Sequence, residues 1–95
     1  LNLAQLDQAK EHLLQVIALN TDDYAAHYNL AIIYAKTNET ALAIKHFHIA
    51  IDCASNNPAP YFELSSLYTD QNNAAQAQKY YHQALKLQTN NLSKN

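Results

Sequence analysis

Five histidines, one cysteine and seven tyrosines are the side chains in this sequence best suited to chemistry. Their spacing decides which chemistry is open to them. A zinc site gathers three or four ligands, often as histidine pairs three or four residues apart on one helix face. Neither spacing occurs: His46 and His48 are two apart and point in different directions on a helix. His12 and His46 are 34 residues apart, as are His48 and His82, a distance that seats them on neighbouring units about 10 Å apart. No metal or cofactor is therefore expected, and the histidines read as solvated or interfacial. Cys53, the single cysteine, rules out an intramolecular disulfide and falls on an apolar stripe. No neighbouring pattern would lower its pKa, so it reads as core filler. The tyrosines could stack on single-stranded bases. With no arginine, six lysines, eight acids and a net charge of −2, the electrostatic footprint of a nucleic-acid binder is missing, and core packing accounts for them better. Glycine is absent altogether, which argues against phosphate-cradling loops and nucleophile elbows.

What positions these residues is a repeat. Shifted by 34, Leu30 falls on Leu64, Tyr34 on Tyr68, Asn38 on Asn72, Ala43 on Ala77, Lys45 on Lys79, His48 on His82 and Ala50 on Ala84. Phe47 meets Tyr81, and Asn56-Asn57 meets Asn90-Asn91. Ala9, Leu13 and Ile17 match Ala43, Phe47 and Ile51, so half of an earlier copy precedes the two. Such a period means one supersecondary unit, stacked so that each copy buries its apolar face on its neighbours.

Within each copy the apolar positions follow helical spacing. The first helix carries Tyr24, His27, Leu30, Ala31 and Tyr34, then Tyr61, Leu64, Ser65 and Tyr68. The second carries Ala43, Phe47, Ala50 and Ile51, then Ala77, Tyr81, Ala84 and Leu85. A further second helix holds Ala9, Leu13, Val16 and Ile17. Asp23 and Asn57 stand where a side-chain oxygen caps a helix start, and Pro58 suits the first helical position. Asn38 and Asn72 replace glycine in the tight turns, since asparagine tolerates the left-handed region. The expected helices span 5–19, 24–36, 39–53, 58–70 and 73–87. The domain expected is a single one over 1–95: a partial repeat (1–23), full repeats (24–57 and 58–91) and a tail (92–95). No stretch is apolar enough for a transmembrane helix. Leu1 is not an initiator methionine, so the chain reads as cut from something longer, and its compartment stays open.

The period, the two-helix unit and the residues Tyr61, Leu64, Ser65, Tyr68, Ala77, Tyr81 and Ala84 resemble the tetratricopeptide repeat family. The preceding copy supplies Leu30, Ala31, Tyr34, Ala43, Phe47 and Ala50, with His27 in place of the leading aromatic. Ser55 and Thr89 stand where the family has a closing proline. The resemblance implies an all-α fold, an α-solenoid of stacked antiparallel helix pairs in a right-handed superhelix. Small residues then mark the helix crossings, and Tyr34, Phe47, Tyr68 and Tyr81 fill the wedges between units.

The resemblance also implies that first helices line a concave, ligand-binding face. Off the packing stripe this face offers Tyr28, Asn29, Ile32 and Lys36, followed by Phe62, Glu63 and Ser66. Asn29 matches a place where the family uses asparagine to bond a ligand's backbone. Ala59 and Glu63 stand where carboxylate-binding members carry Lys and Arg, which points away from acidic C-termini and towards a peptide with hydrophobic anchors. The expected function is a non-enzymatic protein–protein interaction module without nucleic-acid or membrane partners. The alternatives are an accessory repeat region of a larger enzyme and a module that self-assembles through uncapped ends, where Leu6, Leu13, Leu85, Leu87 and Leu92 would be exposed.

Overall fold

The computed structural model describes residues 2–93. It contains, among these, the helices α1 (Leu3–Leu19), α2 (Tyr24–Lys36), α3 (Thr40–Cys53), α4 (Ala59–Asp70) and α5 (Ala74–Ser93), and no strand. Leu1 and the last two residues of the expected 92–95 tail lie outside the described residues. The helices pack most closely within α2–α3 and α4–α5, with α1 on α2 and α3 on α4. Two helix pairs and a leading helix therefore form an all-α solenoid, measuring 39 × 32 × 20 Å.

Local chemistry sets the boundaries. Asn2 and Gln5 form a reciprocal capping box at the start of α1, each side chain accepting from the other's backbone N–H. The Asp23 carboxylate accepts from Ala26 N–H at 2.9 Å, and the Asn57 side chain accepts from Ala59 N–H at 3.0 Å. α4 begins at Ala59, one residue later than expected: Pro58, already in helical angles, is its N-cap rather than its first residue, and Asn57 bonds the first turn from just outside the helix. Each intra-pair turn is a Schellman motif with asparagine in the left-handed region, Asn38 at φ 61° and Asn72 at φ 59°. Glu39 N–H reaches back to Tyr34 O at 2.8 Å, and Asn73 N–H to Tyr68 O at 2.9 Å.

The core centres on Leu30, Ala31, Tyr34, Ala43, Phe47 and Leu64. Ala31, Ala43, Ala50 and Ala84 are fully buried and Ala77 nearly so, as expected of residues where helices cross. Ser65, also buried there, donates its hydroxyl to Ala77 O at 2.8 Å, so the polar group at the α4–α5 crossing is satisfied.

Three expectations need correction. The fifth helix does not stop near 87 but continues to Ser93. Asn56-Asn57 is followed by Pro58, which disfavours helix at the residue before it, whereas Asn90-Asn91 is followed by Leu92, and nothing ends the helix. Asn91 instead uses its side-chain amide to donate to Asn56 O at 3.1 Å. Second, Tyr81 does not fill a buried wedge; it is 47% exposed. Its equivalent Phe47 is enclosed because α4 packs over α3, while no described helix covers the outer side of α5. Tyr80 does the interior packing, stacked on Tyr68 with centroids 5.6 Å apart and planes 11° apart. Third, Ala9 is exposed and α1 buries no residue fully; Leu13 and Ile17 pack partly against the core.

Candidate functional site

Two open clefts flank α2. One, of about 410 Å³, lies between α1 and α2 and is walled mostly by apolar side chains: Leu6, Ala9, Leu13, Ile32 and Ile33, with His12, Asn29 and Lys36 at its polar positions. The other, of about 420 Å³, lies between α2 and α4. Ile32, Ala35 and Leu67 give it apolar surface, and Lys36, Glu63, Ser66 and Asp70 surround that surface with charge and hydroxyl groups. Ile32 and Lys36, one turn apart on α2, belong to both clefts and form the ridge between them.

The sequence-predicted residues therefore divide. Asn29, Ile32 and Lys36 meet at the α1–α2 cleft, and Ile32, Lys36, Glu63 and Ser66 meet at the α2–α4 groove. Tyr28 and Phe62 occupy equivalent positions and line neither cleft; Tyr28 packs against the core, and Phe62 is half-buried beside the exposed Tyr81. Tyr28 sets its ring edge-on to Phe47 at 5.6 Å, and Phe62 does the same to Tyr81 at 5.8 Å. Burial, with a smaller contribution from the Glu63 carboxylate, pushes the Tyr28 phenol above its usual range. Tyr28 therefore stays neutral and acts as an apolar ring with a hydroxyl tip. Sequence reasoning did not supply Leu6, Ala9, His12 and Leu13 as cleft residues. The signal was their place on the second helix that precedes α2 in the repeat pattern.

Polar chemistry elsewhere is confined to a few groups. Among the described residues no three of His, Cys, Asp and Glu come together as a metal-ion site. Cys53 is half-buried; burial, then Asp22, Asp52 and Asp23, push its thiol up and away from the reactive thiolate. His27 is buried and meets His46 across α2 and α3, Nδ1 to Nδ1 at 3.1 Å, while its Nε2 lies 2.8 Å from Thr21 O. Among the described residues no helix is long and apolar enough to cross a membrane. The geometry offers two clefts lined by apolar side chains with a polar rim, an arrangement common in sites that hold another molecule by contact.

Comparison with known proteins agrees with this architecture. Two profiles described as tetratricopeptide repeat match the chain, one over residues 1–58 and one over residues 58–91. Among curated proteins none matches significantly. Among solved structures, a crystal structure of MamA is 25% identical and superposes with a TM-score of 0.91, covering 94% of this chain and 52% of that one. A second crystal structure of MamA protein is also 25% identical, with a TM-score of 0.85 over 93% of this chain and 48% of the other. The structure described as MamA MSR-1 C2 is 18% identical, with a TM-score of 0.86 over 92% and 50% of the two chains. The chain spans about half the length of these MamA chains.

Proposed function

The chain belongs to the tetratricopeptide repeat family, and on that premise we propose that it is a non-catalytic module binding a partner protein or peptide along the clefts of α1, α2 and α4. The observation carrying this reading is the ridge of Ile32 and Lys36, which joins an apolar cleft to a polar-rimmed groove. A segment laid across the ridge would place apolar anchors against Leu13, Ile32 and Leu67. Its polar groups would meet Asn29 and Lys36 on one side and Glu63 and Ser66 on the other. In this reading the chain is one domain, with a partial repeat over 1–23 and full repeats over 24–57 and 58–91.

The test compares proteins captured from a lysate by the unaltered chain, by Ile32→Asp and by Asn29→Ala/Ser66→Arg. Far-ultraviolet circular dichroism establishes that each variant is helical. A partner retained by the unaltered chain and lost by the folded variants supports the site. A partner retained equally by all three moves binding to another face.

A second reading, self-association, draws support from α5. Tyr81, Leu85 and Leu92 are exposed along it, and residues 88–93 continue the helix rather than folding over Leu85. Exposed apolar surface of this kind favours association. Light scattering across concentrations tests it; a monomer throughout, unchanged by Tyr81→Gln/Leu85→Gln, removes this reading.

A further inference from the structure

His27, on the first helix of its unit, and His46, on the second, correspond at a shift of 34 to Tyr61 and Tyr80. The structure preserves the cluster while changing its chemistry. In the third copy Tyr80 stacks on Tyr68 at 5.6 Å and lies 6.3 Å from Tyr61. In the second, His46 stacks on Tyr34 at 5.6 Å and on His27 at 5.3 Å. One of two equivalent aromatic clusters is thus built from groups that change charge near neutral pH. Burial holds Tyr61 and Tyr68 above the ordinary tyrosine range, so these two rings stay neutral there.

We propose that His27 and His46 form an acid-sensitive clasp that ties the α1–α2 loop to α3. The hydrogen bonds fix its working state. A carbonyl only accepts, so His27 donates Nε2–H to Thr21 O at 2.8 Å. A neutral His27 then has a bare Nδ1, and His46 donates its Nδ1–H to it across 3.1 Å. The remaining basic nitrogen of the pair is His46 Nε2. A proton there keeps the bond but places a cation in a half-buried ring. A proton on His27 Nδ1 sets two N–H groups against each other and breaks the bond.

The packing around the rings acts in the same direction, and the two loop carboxylates act against it. Burial first, then His27 on α2 and Lys45 on α3, hold His46 below the usual histidine pKa. Tyr34 of α2 covers the ring with an uncharged face. The loop carrying Thr21 also brings Asp22 and Asp23, and Asp23 is engaged in capping α2. As pH falls through about 6.5, the unfolded chain takes up the proton first. Stability from the clasp is complete above that pH and declines below it, loosening the His27–His46 contact between α2 and α3 first.

The experiment uses the third copy's own solution as its control. Melting temperatures of the unaltered chain and of His27→Tyr/His46→Tyr are compared between pH 7.5 and pH 5.5. His12, His48 and His82 are common to both and supply the shared background. The unaltered chain should lose several degrees more than the double variant. In parallel, imidazole nitrogen NMR of the unaltered chain should show His27 as the Nε2–H tautomer and His46 titrating below 6.5; this arm stands even if the double variant does not fold. Equal losses in the two proteins, or His46 titrating at or above 6.5, would overturn the clasp.

Discussion

Phe47 and Tyr81 occupy one position of the repeat in two different surroundings, which makes them a matched test of what holds the fold. Phe47 is fully buried, enclosed by Leu30, Ala31 and Leu64 and touched edge-on by Tyr28. Phe47→Ala removes the ring and leaves an enclosed cavity, a loss of about 3–5 kcal/mol. Tyr81 keeps nearly half its surface in water. A fully buried aromatic covers roughly 150–250 Å², so at roughly 25 cal/mol per Å² the buried half of Tyr81 stabilises by about 2 kcal/mol, with no sealed cavity to add. The expected difference is about 2 kcal/mol, a factor of roughly 30 in the folding equilibrium. Urea unfolding followed by circular dichroism measures it. With a slope of about 1–2 kcal/mol per molar urea, the two midpoints should differ by roughly 1–2 M. A small domain holds about 5–15 kcal/mol in total, and where Phe47→Ala gives no measurable midpoint, Phe47→Leu serves as the milder substitute. Equal losses for Phe47→Ala and Tyr81→Ala, or a larger one at Tyr81, would refute the claim that α4 packing over α3 makes Phe47 the central side chain.

The turns and crossings yield further expectations. Asn38→Ala and Asn72→Ala should each lower stability by about 1 kcal/mol, because alanine is disfavoured at positive φ; Asn→Gly at either site should be neutral or stabilising, and a melting curve separates the two outcomes. Ser65→Ala should lose no more than about 1 kcal/mol, since Ala31 already fills the equivalent place, whereas Ser65→Val should lose about 1–3 kcal/mol by forcing α4 off α5; chemical denaturation of both variants checks the order. Cys53, with its thiol pKa raised by burial and then by Asp22, Asp52 and Asp23, should react with iodoacetamide at pH 8 more slowly than a small free thiol, and equal rates would show the thiolate to be accessible.

The helix pairs are legible in the sequence because small residues, aromatics and asparagines recur together at one period. Asn38 and Asn72 mark the turns without any help from the structure, and so do Asp23 and Asn57 at the helix starts. The end of α5 is less legible, since Asn90-Asn91 copies Asn56-Asn57 while lacking the proline that follows the earlier pair. Tyr80 is hidden by its neighbour: the shift of 34 pairs Tyr81 with Phe47, so the core position is assigned to Tyr81. His27 and His46 are 19 residues apart, and neither metal-ligand spacing nor one-helix periodicity brings them together. Comparing them with Tyr61 and Tyr80 across the repeat would have revealed the pair. Of the candidate site, Asn29, Ile32, Lys36, Glu63 and Ser66 come from the concave face that the family resemblance implies, with helical spacing only selecting the positions off the packing stripe. The wall supplied by Leu6, Ala9 and Leu13 depends on how far α1 stands from α2, which no periodicity states.

These gaps share a physical origin. In a stacked array each unit contacts only its neighbours, so a repeated residue has a fixed place on its helix but not a fixed environment. Ala31 and Ser65 do the same work because both lie at a crossing inside a pair, where the partner helix belongs to the same unit. Phe47 and Tyr81 differ because their environment is completed by the next unit: α4 covers one and no described helix covers the other. The two aromatic clusters differ for another reason, because stacking constrains ring shape and leaves ring chemistry free. A histidine pair can therefore replace a tyrosine pair while the rings keep their stacking on Tyr34 and Tyr68. Positions within a pair should accordingly respond alike to substitution in both copies. Positions between pairs, and rings whose chemistry is free, are where this chain can differ from one repeat to the next, and it is there that the proposed binding surface and the proposed response to pH lie.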